Sequence, residues 1–128
     1  MTQDKVFVPG PNRVFVFGSN TAGIHGAGAA AEAVKKYGAI YGKGEGYAGR
    51  SYAIPTKDNF LETLPLKEIK KYVDRFLAYA RGRKDLVFFV TRVGCGLAGY
   101  NDIDIGPMFI GAPPNVELPH GWGEPLRH

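Results

Sequence analysis

Short, continuous apolar runs punctuate this chain and predict its strands. "RVFVF" (13–17) and "LVFFV" (86–90) are aromatic and β-branched, and "SYAIPT" (51–56) is closed by a proline near its end. Runs of this kind are typical of strands that are covered on both faces. We therefore predict three buried strands here, a short strand at "KVFV" (5–8) and an edge strand at "NVEL" (115–118).

Helical patterns separate the buried strands. "AGAAAEAVKK" (27–36) is rich in helix formers, ends with two lysines and is followed by Gly38 as a C-terminal cap. From Leu66 to Ala80 the apolar residues recur mostly three and four positions apart, which predicts an amphipathic helix. A short helix is predicted near residues 102–110, and the glycine-rich stretch 42–50 is expected to be an exposed, mobile loop. The order strand, helix, strand, helix, strand predicts a layered α/β domain.

Length and composition are those of one compact domain. The chain has 128 residues, 45% of them apolar, and a formal charge of +4, so we expect a single domain over 1–128 with a proline-rich tail over 111–128. Scattered lysines and arginines make small anionic partners plausible. The one cysteine excludes an internal disulfide, and the three histidines lack ligand spacing, so no metal is expected. With no apolar run of about 18 residues and no signal-like start, we expect a cytoplasmic protein.

Two glycine-rich stretches follow buried strands. The first glycine loop, "GSNTAGIHGAGAA" (18–30), leads from a strand into a helix, and the second glycine loop, "VGCGLAGY" (93–100), follows the third buried strand. Such loops hold phosphate because unobstructed backbone N–H groups and a helix N-terminus face it. The spacing differs from GxxxxGK[ST] and from GxGxxG, which disfavours nucleoside triphosphate hydrolysis. The pair predicts a diphosphate clamp; the alternative is that small residues only allow close helix packing.

The order of these motifs resembles a known family. A strand followed by "GSN", then "GIHGAGAAAEA" opening a helix, then "AIPTK" and "GCGLAGY", is similar to the macro-domain superfamily. The likeness is to the branch of the terminal ADP-ribose protein glycohydrolase and the DNA-deribosylating antitoxins, and it covers about 14–108. It implies a layered α/β/α fold with a central mixed sheet and a ligand site at the carboxyl ends of the strands. It also implies binding of ADP-ribose without a cofactor, and hydrolysis of ADP-ribose from a modified protein or nucleic acid.

The resemblance carries specific roles to positions in this chain. Asn20 would match the asparagine on the distal ribose, and Lys57 the lysine that attacks the anomeric carbon of ADP-ribose. The branch places an acid directly after "GCGL", where this chain has Ala98, so Asp102 or Asp104 would have to supply the carboxylate. We take Lys57 and Asp102 as the candidate catalytic pair. The implied ligand contacts are Ser19, Asn20, Gly23, His25, Gly26, Ala27, Gly28, Ala29, Gly94, Cys95, Gly96, Leu97, Ala98, Gly99 and Tyr100.

Several of these residues have a simpler interpretation. His25 could reach a phosphate or a ribose hydroxyl, or it could be a packing residue. Cys95 could be a nucleophile only beside a general base, and a small residue under a glycine loop is the favoured alternative. Asp58 is close enough in sequence to pair with Lys57 and hold it in its charged form. Trp122 could cover the core or stack on a base.

Two other functions stay open. Because Ala98 stands where the branch has an acid, the chain could be a non-catalytic binding module for another nucleotide, an NAD derivative or an RNA end. It could also be an interaction protein that keeps the fold without a ligand.

Overall fold

A five-stranded mixed sheet with helices packed on it forms the protein. The computed structural model describes residues 6–123. The elements in chain order are β1 (Arg13–Asn20), α1 (Gly28–Lys36), β2 (Gly46–Ala48), β3 (Ser51–Lys57), α2 (Leu66–Arg81), β4 (Val87–Val90), α3 (Asp102–Ile105), a 3-10 turn (Gly106–Phe109) and β5 (Val116–Glu117). The strand order is β2-β3-β1-β4-β5. All neighbours are parallel except β2, which is antiparallel to β3.

Alternate residues of the central strand β1 face two separate apolar clusters, as the two-residue period of a strand requires. Val14 and Val16 pack in the cluster that contains the buried residues of α2. Phe15 and Phe17 pack in the other cluster, with the alanines of α1. The two helices therefore lie on opposite faces of the sheet, and the predicted α/β class is confirmed.

The three buried strands and both long helices lie where the apolar pattern predicts them. Helix α2 buries one continuous face, because its apolar residues recur at helical spacing. The short helix predicted near residues 102–110 is present as α3 and the 3-10 turn. Strand β5 confirms the predicted edge strand, although it is shorter than the four residues expected.

Two local predictions are wrong. The stretch 42–50 is not all loop, because it contains β2, where Tyr47 pairs with Tyr52 and its ring lies 5.7 Å from that of Tyr79. Tertiary packing thus overrides its glycine-rich composition.

The strand predicted at 5–8 is the second wrong prediction, because residues 6–8 form no strand. Phe7 instead packs its ring 4.9 Å from that of Tyr37 and 5.3 Å from that of Phe15. Lys5, the first residue of that predicted strand, lies outside the described residues.

The described part of the C-terminal segment, residues 111–123, packs back onto the core. Trp122 is only 4% exposed, and its ring lies 5.4 Å from that of Phe109. Trp122 therefore covers the core, as one of its two interpretations proposed. Within residues 6–123 the helices are too short or too polar to cross a membrane.

Candidate functional site

A cavity of about 330 Å³ opens at the carboxyl ends of β1, β3 and β4. Its position matches the rule that ligands of open α/β sheets bind beyond these strand ends, and its volume is typical of small-molecule sites. Eleven of the candidate residues line it: Ser19, Asn20, Gly26, Ala27, Gly28, Ala29, Lys57, Gly94, Gly96, Leu97 and Ala98. Eight further residues line the cavity that the sequence did not mark as ligand contacts: Gly18, Ile24, Ala30, Thr56, Leu61, Thr91, Arg92 and Val93.

Asn20 shapes the first glycine loop from a buried position. A register shift in the pairing of β1 with β3 falls between Ser19 and Asn20. The Asn20 side chain then accepts a hydrogen bond from the Ile24 N–H at 2.9 Å and donates one to the Ile24 carbonyl at 2.7 Å. Both ends of the amide thereby hold the loop that leads to α1. Asn20 still lines the cavity, so the same residue shapes the loop and faces the ligand space.

Gly23 allows two stretches of backbone to approach each other. Its φ is +72°, and a Cβ there would lie 2.7 Å from the Gly42 Cα. The Gly23 carbonyl accepts a hydrogen bond from the Gly42 N–H at 2.8 Å. Gly23 is not among the cavity-lining residues, so it is not the ligand contact that was predicted. The missing side chain at this position instead allows the backbone to pack closely.

His25 is buried beside the cavity rather than in its lining. The residue is 3% exposed, and its ring lies edge-on to Phe17 at 5.3 Å. Its Nε2 donates to the Lys43 carbonyl at 3.0 Å, while Nδ1 has no hydrogen-bond partner among residues 6–123. These contacts agree with the interpretation of His25 as a packing residue.

The N-terminus of α1 opens onto the cavity. Ala27 is the N-cap, and no side chain in the described part of the chain caps the helix there. A Cβ at Gly26 or Gly28 would meet nothing within 4 Å, so the loop leaves free space at both positions. Backbone N–H groups of the first helical turn, together with the helix dipole, make this end suitable for an anion.

The second glycine loop also lines the cavity, through Gly94, Gly96, Leu97 and Ala98. Gly94 and Gly99 adopt φ values of +79° and +89°, and a Cβ at Gly96 would meet nothing within 4 Å. The loop closes on itself through a hydrogen bond of 3.0 Å from the Gly99 N–H to the Gly96 carbonyl, and one of 2.9 Å from the Tyr100 N–H to the Gly94 carbonyl. The backbone therefore faces free space on this side as well.

The segment after β3 holds the second glycine loop through one side chain and one backbone carbonyl. The Thr63 hydroxyl donates to the Ala98 carbonyl at 2.9 Å, and the Tyr100 hydroxyl donates to the Leu64 carbonyl at 2.8 Å. Tyr100 packs against the core cluster of α2. Of this loop's candidate residues, Cys95, Gly99 and Tyr100 do not line the cavity.

Two cationic side chains, Lys57 and Arg92, line the cavity, and no carboxylate within residues 6–123 does. The Lys57 amine forms no hydrogen bond or ion pair with any residue of 6–123. The Asp58 carboxylate instead accepts hydrogen bonds from the N–H groups of Phe60 at 2.8 Å and Glu62 at 3.0 Å. The pair considered between Asp58 and Lys57 is not formed within residues 6–123.

Asp102 lies outside the cavity lining. Its Oδ1 forms an ion pair with Arg92 and accepts a hydrogen bond of 3.0 Å from the Trp122 indole N–H. The other acid considered, Asp104, accepts a hydrogen bond of 3.0 Å from the Asn101 N–H and so caps α3. The structure thus does not bring either carboxylate into the cavity beside Lys57.

Cys95 is a half-buried thiol, not an activated nucleophile. Burial, and secondly the negative charge of Asp102, raise the pKa of Cys95 to about 11. The thiol is therefore protonated at neutral pH, and only the thiolate attacks. This supports the interpretation of Cys95 as a small residue beneath the loop.

Arg92 is the functional candidate that the sequence analysis missed. It lies two residues after the end of β4 and immediately before the second glycine loop, in "TRVGCG". A cation in that position of an α/β sheet faces the ligand edge, so this placement was the available signal.

No protein-family model, curated protein or solved structure matches this chain.

Proposed function

We propose that this protein binds ADP-ribose, or an ADP-ribosyl group on a macromolecule, in the cavity between its two glycine loops. One observation carries the proposal: the N-terminus of α1, which no side chain of residues 6–123 caps, and the second glycine loop line the same cavity. Two sets of backbone N–H groups suit the two phosphates of a diphosphate.

Charge in the cavity supports an anionic ligand. Lys57 and Arg92 bring positive charge to the lining, and no carboxylate within residues 6–123 lies there to oppose it. An arginine offers several N–H donors, so Arg92 can hold Asp102 and still face a phosphate. The apolar side chains of Ile24, Leu61 and Leu97 complete the lining, as in sites that bind a nucleotide by its apolar and charged parts together.

The family resemblance supplies the identity of the nucleotide. We propose a single macro-like domain, since the mixed sheet has α1 and α2 on opposite faces and its ligand edge carries "GSN", "IPTK" and "GCGL". In this proposal Gly26–Ala29 and Gly94–Ala98 hold the phosphates. Asn20 and Lys57 then face the distal ribose.

Hydrolysis is a separate part of the proposal, with Lys57 as the nucleophile. Its neutral amine would attack the anomeric carbon, the bond from that carbon to the macromolecule would break, and the leaving group would take up a proton. Water would then release ADP-ribose and regenerate the amine. The free Lys57 amine supports this step, but a carboxylate to move the protons is not present in the cavity within residues 6–123.

Calorimetric titration with ADP-ribose tests the binding. We expect saturable heat with the wild type, and about tenfold weaker binding for Lys57→Ala and for Arg92→Ala, because each removes one charge-assisted contact. Lys35→Ala is the matched control, since Lys35 is exposed on α1 and does not line the cavity. No heat and no thermal shift at millimolar ADP-ribose would contradict the proposal.

A non-catalytic module for another nucleotide is the second candidate, and the placement of the acids favours it. Ala98 lines the cavity where the branch has an acid, and Asp102 lies outside the lining, paired with Arg92. Competition among ADP-ribose, NAD, AMP and a short RNA would separate the two ligand assignments. Release of ADP-ribose from a modified protein or DNA, lost in Lys57→Ala, would establish the reaction; persistent release in that variant would exclude the lysine mechanism.

A further inference from the structure

One carboxylate oxygen connects three separate parts of the chain beneath the second glycine loop. Asp102 Oδ1 pairs with Arg92 at the start of the loop, and it contacts the Cys95 sulfur within the loop at 3.9 Å. It also accepts the hydrogen bond from Trp122, in the C-terminal segment. We call this group the Asp102 clasp: Arg92, Cys95, Asp102 and Trp122.

The C-terminal segment holds its part of the clasp in place. The Trp122 ring lies against Gly106, where a Cβ would be 3.1 Å from the indole Cδ1, so a side chain at this position would displace the ring by a few tenths of an ångström. The backbone N–H of Trp122 donates to the Pro119 carbonyl at 3.0 Å, and the backbone N–H of Gly123 donates to the Gly106 carbonyl at 3.1 Å. A ring fixed in this way presents its indole N–H to Asp102 in one direction.

The second glycine loop depends on such outside support. Its glycines at 94, 96 and 99 have no side chains to pack, and two of them adopt positive φ. A loop of this composition loses much conformational entropy when it is held in one shape. The clasp contacts the loop at Cys95 and joins Arg92, just before the loop, to Asp102, two residues after it. Arg92 lines the cavity, so the same ion pair bears on its direction.

We infer that Asp102 and Trp122 are positioning residues, through which the C-terminal segment sets the shape of the second glycine loop and the direction of Arg92. The inference on affinity rests on the proposed function, because Arg92 must face the anionic ligand. It assigns Asp102 a different role from the catalytic acid suggested by the family resemblance, since its carboxylate is engaged outside the cavity.

Affinity for ADP-ribose tests the clasp in the full chain. Trp122→Phe keeps an aromatic ring against Phe109 but removes the indole N–H, and Asp102→Asn removes the ion pair. Since each loses a hydrogen bond that involves a charged group, we expect binding about tenfold weaker in both variants. Asp85→Asn is the matched control, because it breaks an ion pair with Arg83 that lies outside the cavity lining.

Non-additivity distinguishes positioning from a general structural role. If Asp102 acts through Arg92, then Asp102→Asn should weaken binding much less in the Arg92→Ala background than in the wild type. Equal losses in both backgrounds would overturn the inference. Unchanged affinity with abolished release of ADP-ribose would also overturn it, because that result identifies a catalytic acid.

Amide hydrogen exchange tests the clasp without a ligand. We expect the amides of Gly94–Tyr100 to exchange faster in Trp122→Phe and Asp102→Asn than in Asp85→Asn. Unchanged exchange in this loop would refute the clasp even if ADP-ribose binds. A wild type that fails to bind ADP-ribose but shows the exchange difference would refute the proposed function and leave the clasp standing.

Discussion

The two glycine loops have similar compositions and both follow parallel strands, yet they are held in different ways. The first glycine loop has an internal side-chain tie, the paired hydrogen bonds of Asn20 with Ile24, and it is also joined to the segment 42–44 through Gly23 and His25. The side-chain ties of the second glycine loop lead to segments outside it: Thr63 and Asp102 contact Ala98 and Cys95, and Tyr100, the last residue of the loop, donates to the Leu64 carbonyl. Its own backbone contributes only short internal turns.

This difference separates two uses of glycine that look the same in sequence. At Gly23 the missing side chain lets backbone meet backbone, whereas at Gly26 and Gly96 it leaves free space at the cavity. Substitution at the first kind of position should reduce stability, and substitution at the second kind should mainly affect the ligand.

Gly23→Ala should give the largest effect on stability. The new Cβ would lie 2.7 Å from the Gly42 Cα, and the residue would have to keep a φ of +72°. Overpacking and the left-handed conformation together should lower the free energy of unfolding by about 3 kcal/mol. Urea denaturation, monitored by circular dichroism, measures this loss.

Gly28→Ala is the control for Gly23→Ala. Its φ is +58°, but a Cβ there would meet nothing within 4 Å, so only the conformational cost of about 1 kcal/mol applies. Equal losses at the two positions would show that Gly23 is not a packing glycine.

Asn20→Ala should have the next largest effect, on the internal support of the first loop. The variant loses two hydrogen bonds of a side chain that is 6% exposed, which corresponds to about 2 kcal/mol of unfolding free energy.

Thr63→Val tests the external support of the second loop. The variant loses one exposed hydrogen bond to the Ala98 carbonyl, and we expect the free energy of unfolding to fall by about 0.5 kcal/mol. Denaturation curves of the two variants compare internal with external support, and similar losses would contradict the distinction.

Local patterns were sufficient to predict most of the fold. Helix α2 could be located because its apolar spacing needs no knowledge of the partner surface, and the buried runs located β1, β3 and β4. Strand β2 could not, because Gly46 and Gly49 resemble loop residues and its pairing depends on contacts of Tyr47 with distant rings. Non-local packing of this kind leaves no periodic signal.

The sequence could predict which two loops form the candidate site, but not how each residue within them is used. Glycine-rich stretches after buried strands located both walls of the cavity. The sequence could not show which glycines face open space, since that depends on the opposite segment, such as Gly42 across from Gly23. Nor could it show that Asp102 is held by Trp122, because the two lie 20 positions apart.

The smallest effect that we expect is on the reactivity of the Cys95 thiol in the second loop, and the rate of its alkylation measures it. Burial and the charge of Asp102 raise the pKa of Cys95 to about 11, above its ordinary value near 9. Because only the thiolate reacts, iodoacetamide at pH 8 should modify Cys95 at least about tenfold more slowly than a free thiol. The folded state also keeps this proton longer than the unfolded chain, so the contribution of Cys95 to stability is present below pH 9 and is lost as pH rises toward 11.

Asp102→Asn separates the two causes of that pKa shift. Removing the negative charge takes away the second cause and leaves burial, so alkylation at pH 8 should become faster. Asp85→Asn should leave the rate unchanged, because the Asp85 charge is not among the causes of the shift. Peptide mass spectrometry of the alkylated protein gives both rates. If Asp102→Asn also loosens the second loop, the rate should rise further than Trp122→Phe raises it, since only the former removes both the charge and the ion pair that holds Arg92.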